Sequence, residues 1–197
     1  MGLPSVSLDG LHEGLHASCA EEQFFALLYA ALDGDTEAVG RLLSQPGIDP
    51  NRGDEDGFTP LFVACQEGHL EIARLLRDAG AGINQAMNCG TTPLFIASQE
   101  GQLECVRLLL EAVAAIDQAD EQGATPLFAA CEDSHLEVAK LLSSYGASRA
   151  ATPFGTPKEA ANREGHADLA AWLVASRGWT PLAHLETLTA ARATRHL

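Results

Sequence analysis

Three stretches of the chain place apolar and polar residues in the same order, 33 residues apart. Gly57-Phe58-Thr59-Pro60-Leu61-Phe62 is matched by Gly90-Thr91-Thr92-Pro93-Leu94-Phe95 and Gly123-Ala124-Thr125-Pro126-Leu127-Phe128, and a step of 31 leads on to Gly155-Thr156-Pro157. Within each copy a short apolar face (Leu61, Phe62 and Ala64 in the first) runs to a break at Gly68, Gly101, Ser134 or Gly165, nine residues after the threonine. A second helical period follows, with Ile72, Ala73, Leu75 and Leu76 in the first copy. The copies close at Gly80-Ala81, Val113-Ala114 and Gly146-Ala147. This pattern predicts two short helices per copy and a polar turn between copies.

The local chemistry agrees with that prediction. Threonine is a good N-cap, and proline suits the first helical position, where its missing N–H costs nothing. Glycine takes the left-handed conformation that ends a helix. Val113, standing where glycine closes the other copies, predicts a less regular helix end. Stretches such as Asp117-Gln118-Ala119-Asp120-Glu121-Gln122-Gly123 are rich in turn formers. A pair this short cannot bury its own apolar faces, but several stacked pairs share one continuous core.

The recurring Gly-x-Thr-Pro-Leu-x-x-Ala-x-x-x-Gly-His-x-Glu, closing in Gly-Ala at a 33-residue period, resembles the ankyrin repeat. The resemblance covers about residues 20–175 and implies an all-α solenoid of helix-turn-helix units with β-turn tips. It divides the chain into a flexible N-terminal segment (1–19), an array (20–175) and a capping helix or tail (176–197). The expected repeats within the array are 20–51 (an N-terminal cap), 52–84, 85–117, 118–149 and 150–175. The family's Thr-Pro-Leu-His is here Thr-Pro-Leu-Phe, at Phe62, Phe95 and Phe128, which exchanges polar links between repeats for apolar stacking. Lys158 and Glu159 replace the Leu-Phe of the other copies, as suits a terminal repeat with a wet outer side. Asn51 and Asn84 stand where asparaginyl hydroxylation targets such repeats. Beyond the array, Thr180-Pro181 opens another helix start, with Leu182, Leu185 and Leu188 at helical spacing. Two readings of this segment stay open: a helix sealing the stack, or a degenerate segment resembling a SOCS box that recruits a ubiquitin ligase.

Charge and composition narrow the function. The chain has 197 residues, 27 acidic and 12 basic, for a net charge of −15. Residues 1–140 hold 23 acids and 6 bases, whereas residues 141–197 hold 4 and 6. A nucleic-acid backbone is repelled by such a surface, so nucleic-acid binding is not expected. The longest apolar run, Phe24 to Leu32, is nine residues, against about 20 for a membrane span. The N-terminus lacks the basic and then apolar order of a secretory signal. Five cysteines with no Cys-x-x-Cys suit a reducing compartment. A cytoplasmic or nuclear, unsecreted monomer with no membrane contact is the expectation.

No nucleotide-binding motif is present. Cys65-x-x-x-His69 and Cys131-x-x-x-His135 have ligand-like spacing, but lie two repeats apart and cannot share one zinc. The cysteines read better as core residues, and the histidines as servants of the turns. Glu132 and Asp133 beside Cys131 would raise its thiol pKa and disable it as a nucleophile. No catalytic group, metal site or cofactor is expected.

What remains is the variable surface. The resemblance implies that partners meet the turn tips and the exposed side of each first helix. In the first full repeat that gives Glu55, Asp56, Phe58, Gln66 and Glu67. In the second it gives Asn88, Thr91, Gln99 and Glu100. In the third it gives Glu121, Gln122, Glu132 and Asp133, and in the last Arg163 and Glu164. The stripe is acidic, with Phe58 as its aromatic anchor. It suits a protein partner with a basic surface. The expected function is a noncatalytic interaction module, an adaptor, scaffold or inhibitor; the alternatives are a substrate-recognition adaptor of a ubiquitin ligase, or the interaction part of a larger multidomain protein.

Overall fold

The computed structural model describes residues 19–176; the expected N-terminal segment and the segment beyond 176 lie outside the described residues. Among the described residues there are ten α-helices and no strand. They form five pairs: α1 (Cys19–Asp33) with α2 (Thr36–Leu43), α3 (Pro60–Glu67) with α4 (Leu70–Asp78), α5 (Pro93–Gln99) with α6 (Leu103–Glu111), α7 (Pro126–Glu132) with α8 (Leu136–Ser144), and α9 (Pro157–Arg163) with α10 (Ala167–Ala175).

The first helix of each full repeat starts where its threonine caps it. The hydroxyls of Thr59, Thr92 and Thr125 accept the amides of Phe62, Phe95 and Phe128 at 3.2, 3.1 and 3.3 Å. In the last repeat Glu159, at the phenylalanine position, makes a reciprocal cap. Its carboxylate accepts the Thr156 amide at 2.8 Å while Thr156 accepts the Glu159 amide at 3.2 Å. The polar substitution therefore tightens the helix start. Gly68 ends α3 with φ of 77°, and Ser134 takes the same left-handed turn at 66°.

Val113 corrects one sequence expectation. It adopts φ of 66°, so α6 ends as regularly as its neighbours, with the strain carried by a β-branched residue.

Second helices turn one face inward. Ile72, Ala73 and Leu76 of α4 are buried, as are Val138, Ala139, Leu141 and Leu142 of α8. Their outer faces carry ion pairs one turn apart: Glu71–Arg74 (3.4 Å), Glu104–Arg107 (3.5 Å) and Glu137–Lys140 (2.7 Å). Such exposed pairs favour the helix slightly and keep it wetted.

First helices stack on first helices from α1 through α9, and second on second from α2 through α8. The first helices contact one another more extensively than the second helices do. One core runs the length of the array, through Leu27, Phe62, Leu94, Phe128, Leu142 and Leu169. Phe62, Phe95 and Phe128 are all buried in it, as apolar stacking requires.

Polar links also join each repeat to the next. Asn51 accepts the Gly82 amide at 2.6 Å and donates to the Gly80 carbonyl at 3.2 Å. Asn84 accepts the Ala115 amide and Asp117 the Ser148 amide, each at 2.8 Å. Nε2 of His69 donates to the Leu32 carbonyl at 3.1 Å, and Nε2 of His166 to that of Glu132 at 2.9 Å. Gln102 does the same to Gln66 at 3.1 Å. These bonds satisfy carbonyls left open at helix ends.

Candidate protein-binding surface

Two of the tips between repeats are small hairpins built on one device. Oδ1 of Asp54 accepts the amides of Asp56 and Phe58, at 3.0 and 2.8 Å. Asp120, two repeats on, accepts those of Gln122 and Ala124 at 3.0 and 2.8 Å. Met87 stands at the corresponding place between them, its amide donating to Thr91 at 2.9 Å, with Cys89 Sγ and Thr91 Oγ1 3.1 Å apart within the tip. The tips are joined edge to edge: the amide of Asn88 donates to Asp56, and that of Glu121 to Cys89, each at 3.0 Å. The Asn88 side chain adds a bond to the Glu55 carbonyl at 2.7 Å. The tips are thus a linked row, and what stands on them is held in register.

Glu55, Asp56, Asn88, Glu121 and Gln122 are exposed on this row. Glu67, Glu100, Asp133, Arg163 and Glu164 are exposed at the ends of the first helices, with Gln66, Gln99 and Glu132 half-buried. Thr91 is different. It is 1% exposed, folded beneath its tip, and offers no contact area. Phe58 is also drawn inward: its ring packs edge-on against buried Phe62, centroids 5.4 Å apart. Part of the expected anchor is therefore spent on the core.

Among the described residues, the large exposed aromatic is one the sequence reading missed. Phe154 is 43% exposed. The last tip is shorter than the others: Thr152 and Gly155 exchange both backbone bonds, at 2.9 and 3.0 Å, leaving Pro153-Phe154 at the corner. The ring stands 5.9 Å from Phe128, whose other neighbour is the Arg163 guanidinium at 6.0 Å. The signal was the 31-residue step, which shortens this tip.

Charge on the surface is one-sided. Arg163 is engaged by Glu132 at 3.8 Å and Glu164 at 3.5 Å. Burial raises the Asp133 pKa, with His135 and His166 opposing it.

Apart from Cys89 on the tip row, three cysteines lie elsewhere. Cys65, Cys105 and Cys131 are buried. Burial pushes Cys131 up to about 12, with Arg149 pulling the other way. The cause is desolvation, in place of the neighbouring acids expected from the sequence. Hydrogen bonding between the thiols of Cys65 on α3 and Cys105 on α6 raises the first and lowers the second. Their sequence separation hid this pair. An open cleft of about 200 Å³ lies among Phe24, Leu27, Ile48 and Arg52, with the Arg52 guanidinium over the Phe24 ring at 5.2 Å. No helix among the described residues is long and apolar enough to cross a membrane.

A family model described as ankyrin repeats (3 copies) matches residues 8–87 and 79–152. No curated protein matches the chain.

Proposed function

Because the chain belongs to the ankyrin repeat family, whose arrays are in general protein-interaction modules, we propose that it is a noncatalytic adaptor, scaffold or inhibitor of the cytoplasm or nucleus. Its partner is a protein with a basic surface that also offers an apolar side chain. The row of tips carries the reading: Glu55, Asp56 and Glu121 stand exposed on it, and Phe154 stands exposed at its end. An exposed aromatic beside fixed charge is the composition of a binding hot spot, and the acids speed encounter with a cation-rich partner. Phe154 takes the anchoring role expected of Phe58, with Gln66, Glu67, Gln99, Glu100, Glu132, Asp133 and Glu164 as flanking contacts.

The test is affinity capture with mass spectrometry on two proteins, the parent chain and the triple variant Glu55→Lys, Glu121→Lys, Phe154→Ala. Glu55 and Glu121 are exposed and Phe154 partly so, and hydrogen-exchange protection of α3–α8 equal to the parent's establishes that the variant keeps its fold. A basic partner captured by the parent and lost from the variant supports the reading. Equal capture by both proteins moves the site off this row.

A further inference from the structure

Basic residues are sorted by helix in this array. Among the described residues, the first helices α1, α3, α5 and α7 carry no Lys or Arg, whereas α9 carries Lys158 and Arg163. Each base on a second helix pairs with an acid of its own helix, as Arg41 does with Glu37 and Lys140 with Glu137. Arg163 is placed differently. It stands at the position held by Gln66, Gln99 and Glu132 in the earlier repeats. It reaches back across one repeat to Glu132 at 3.8 Å, with Glu164 at 3.5 Å. Its guanidinium lies 6.0 Å from the centre of the Phe128 ring. A planar guanidinium stacks on aromatic rings and forks onto carboxylates, so a ring with two carboxylates is a site of the right chemistry for it.

Arg163 fills that site poorly. A forked guanidinium–carboxylate pair closes to about 2.7–2.9 Å, and both contacts here are longer. The side chains of Arg163, Glu132 and Glu164 are each about half exposed, and ion pairs in that setting hold weakly. A guanidinium arriving from solvent is not tied to α9 and can close on the carboxylates directly. Phe154 stands beside the site. Its exposed ring, 5.9 Å from Phe128, offers apolar cover to the methylene stem of an incoming arginine.

We propose that Glu132, Glu164 and the Phe128 ring bind an arginine side chain of the basic partner, and that the chain's own Arg163 is a weak internal occupant which that arginine displaces. This site rests on the reading of the surface as the face for a basic protein, and it names the cation and the competitor for it. Lysine fits less well, because a compact ammonium neither forks nor stacks as a guanidinium does. The fraction of time that Arg163 fills the site lowers its apparent affinity, so removing Arg163 raises it.

Fluorescence anisotropy on the full chain, with labelled hexa-arginine and hexalysine peptides, tests this. Arg163→Ala is expected to bind hexa-arginine about three- to tenfold more tightly than the parent, and hexalysine with a smaller gain. Arg163→Gln, which supplies the residue of Gln66 and Gln99, is expected to do the same. Loss of any base strengthens the general attraction for a cation. Arg74→Ala makes the same charge change on an outer face and is the control, expected to gain less than about twofold. Adding Glu132→Gln to Arg163→Ala is expected to remove the gain. Hydrogen-exchange protection of α3–α8 equal to the parent's shows that each variant is folded. A gain no larger than that of Arg74→Ala, or one equal for both peptides, would overturn the proposal. The row of tips is judged separately, by Glu55→Lys with Glu121→Lys. Hexa-arginine binding lost there but unmoved by Arg163→Ala refutes the arginine site and leaves the row standing. A gain on Arg163→Ala that survives both lysines keeps the arginine site and sets the row aside. Failure of hexa-arginine to bind any of these proteins overturns both.

Discussion

Val113 and Gly146 close their helices with the same turn. The Val113 amide donates to Leu110 at 3.0 Å and the next amide to Leu109 at 2.9 Å; Gly146 and its successor do the same to Ser143 and Leu142, at 3.1 and 3.0 Å. For valine this left-handed backbone costs about 1–2 kcal/mol more than for glycine. Its side chain, 57% exposed, returns little. Val113→Gly is therefore expected to stabilise the array by about 1 kcal/mol, once the greater freedom of glycine in the unfolded chain is subtracted. A denaturant midpoint that fails to rise would mean that Val113 gains a contact worth its strain.

Gly34 is in the opposite position. It holds φ of 77°, and a Cβ there would meet the His69 ring at 2.8 Å. Gly34→Ala adds backbone strain and displaces the ring that bonds to Leu32, for a combined loss of about 2–3 kcal/mol. His69→Ala loses only the bond, about 1 kcal/mol. In the double variant the costs should be less than additive, because the clash has gone; strict additivity in urea titrations would refute the coupling.

Ser143 presents a buried hydroxyl with no hydrogen-bond partner. Ser143→Ala removes its desolvation cost and improves helix propensity, and is expected to stabilise by about 1 kcal/mol. Destabilisation on the same measurement would show that the hydroxyl is satisfied in solution.

Cys131 makes stability fall in alkali. Its thiol titrates at 9.0 when free and at about 12 in the fold. The folded pKa is raised, so the contribution is whole below pH 9 and declines as pH rises towards 12. The slope in that window is about 1 kcal/mol per pH unit. Comparing the parent with Cys131→Ala from pH 8 to 11, the parent should lose stability more steeply. Parallel profiles would mean that the buried site takes up water.

Glu159 acts at the other end of the scale. Its bonds with Thr156 hold the carboxyl below its usual 4.5. A lowered acid pKa stabilises fully above 4.5 and ceases to do so as pH falls through the folded value. Protection of α9 amides should therefore fade in acid, and in Glu159→Gln should depend less on pH. Identical acid profiles would detach the cap from the ionised carboxylate.

What was legible in the sequence was local. Thr59-Pro60 and its copies state a helix start in two residues, and the 33-residue step states the stack. Relations set by more than one repeat were hidden. Phe58 reads as the tip aromatic, but it turns inward onto Phe62, and the shortened last tip turns Phe154 outward instead. The proximity of Cys65 and Cys105 needs two repeats stacked in register. The Val113 turn needs the stack to impose a conformation that valine alone avoids. Thr91 reads as a surface threonine and is buried because its hairpin folds over it.

The polar links between repeats run from Asn51 to Gly82, Asn84 to Ala115 and Asp117 to Ser148, each a reach of 31 residues. Excising residues 85–117 would leave Asn84 the same reach from Ser148, where Asp117 now sits. A loss or gain of one whole period preserves this 31-residue reach, whereas a change of one residue breaks it. Recombination between the copies can thus lengthen or shorten such a gene without inventing a new fold, and the area open to a partner becomes something inherited in units.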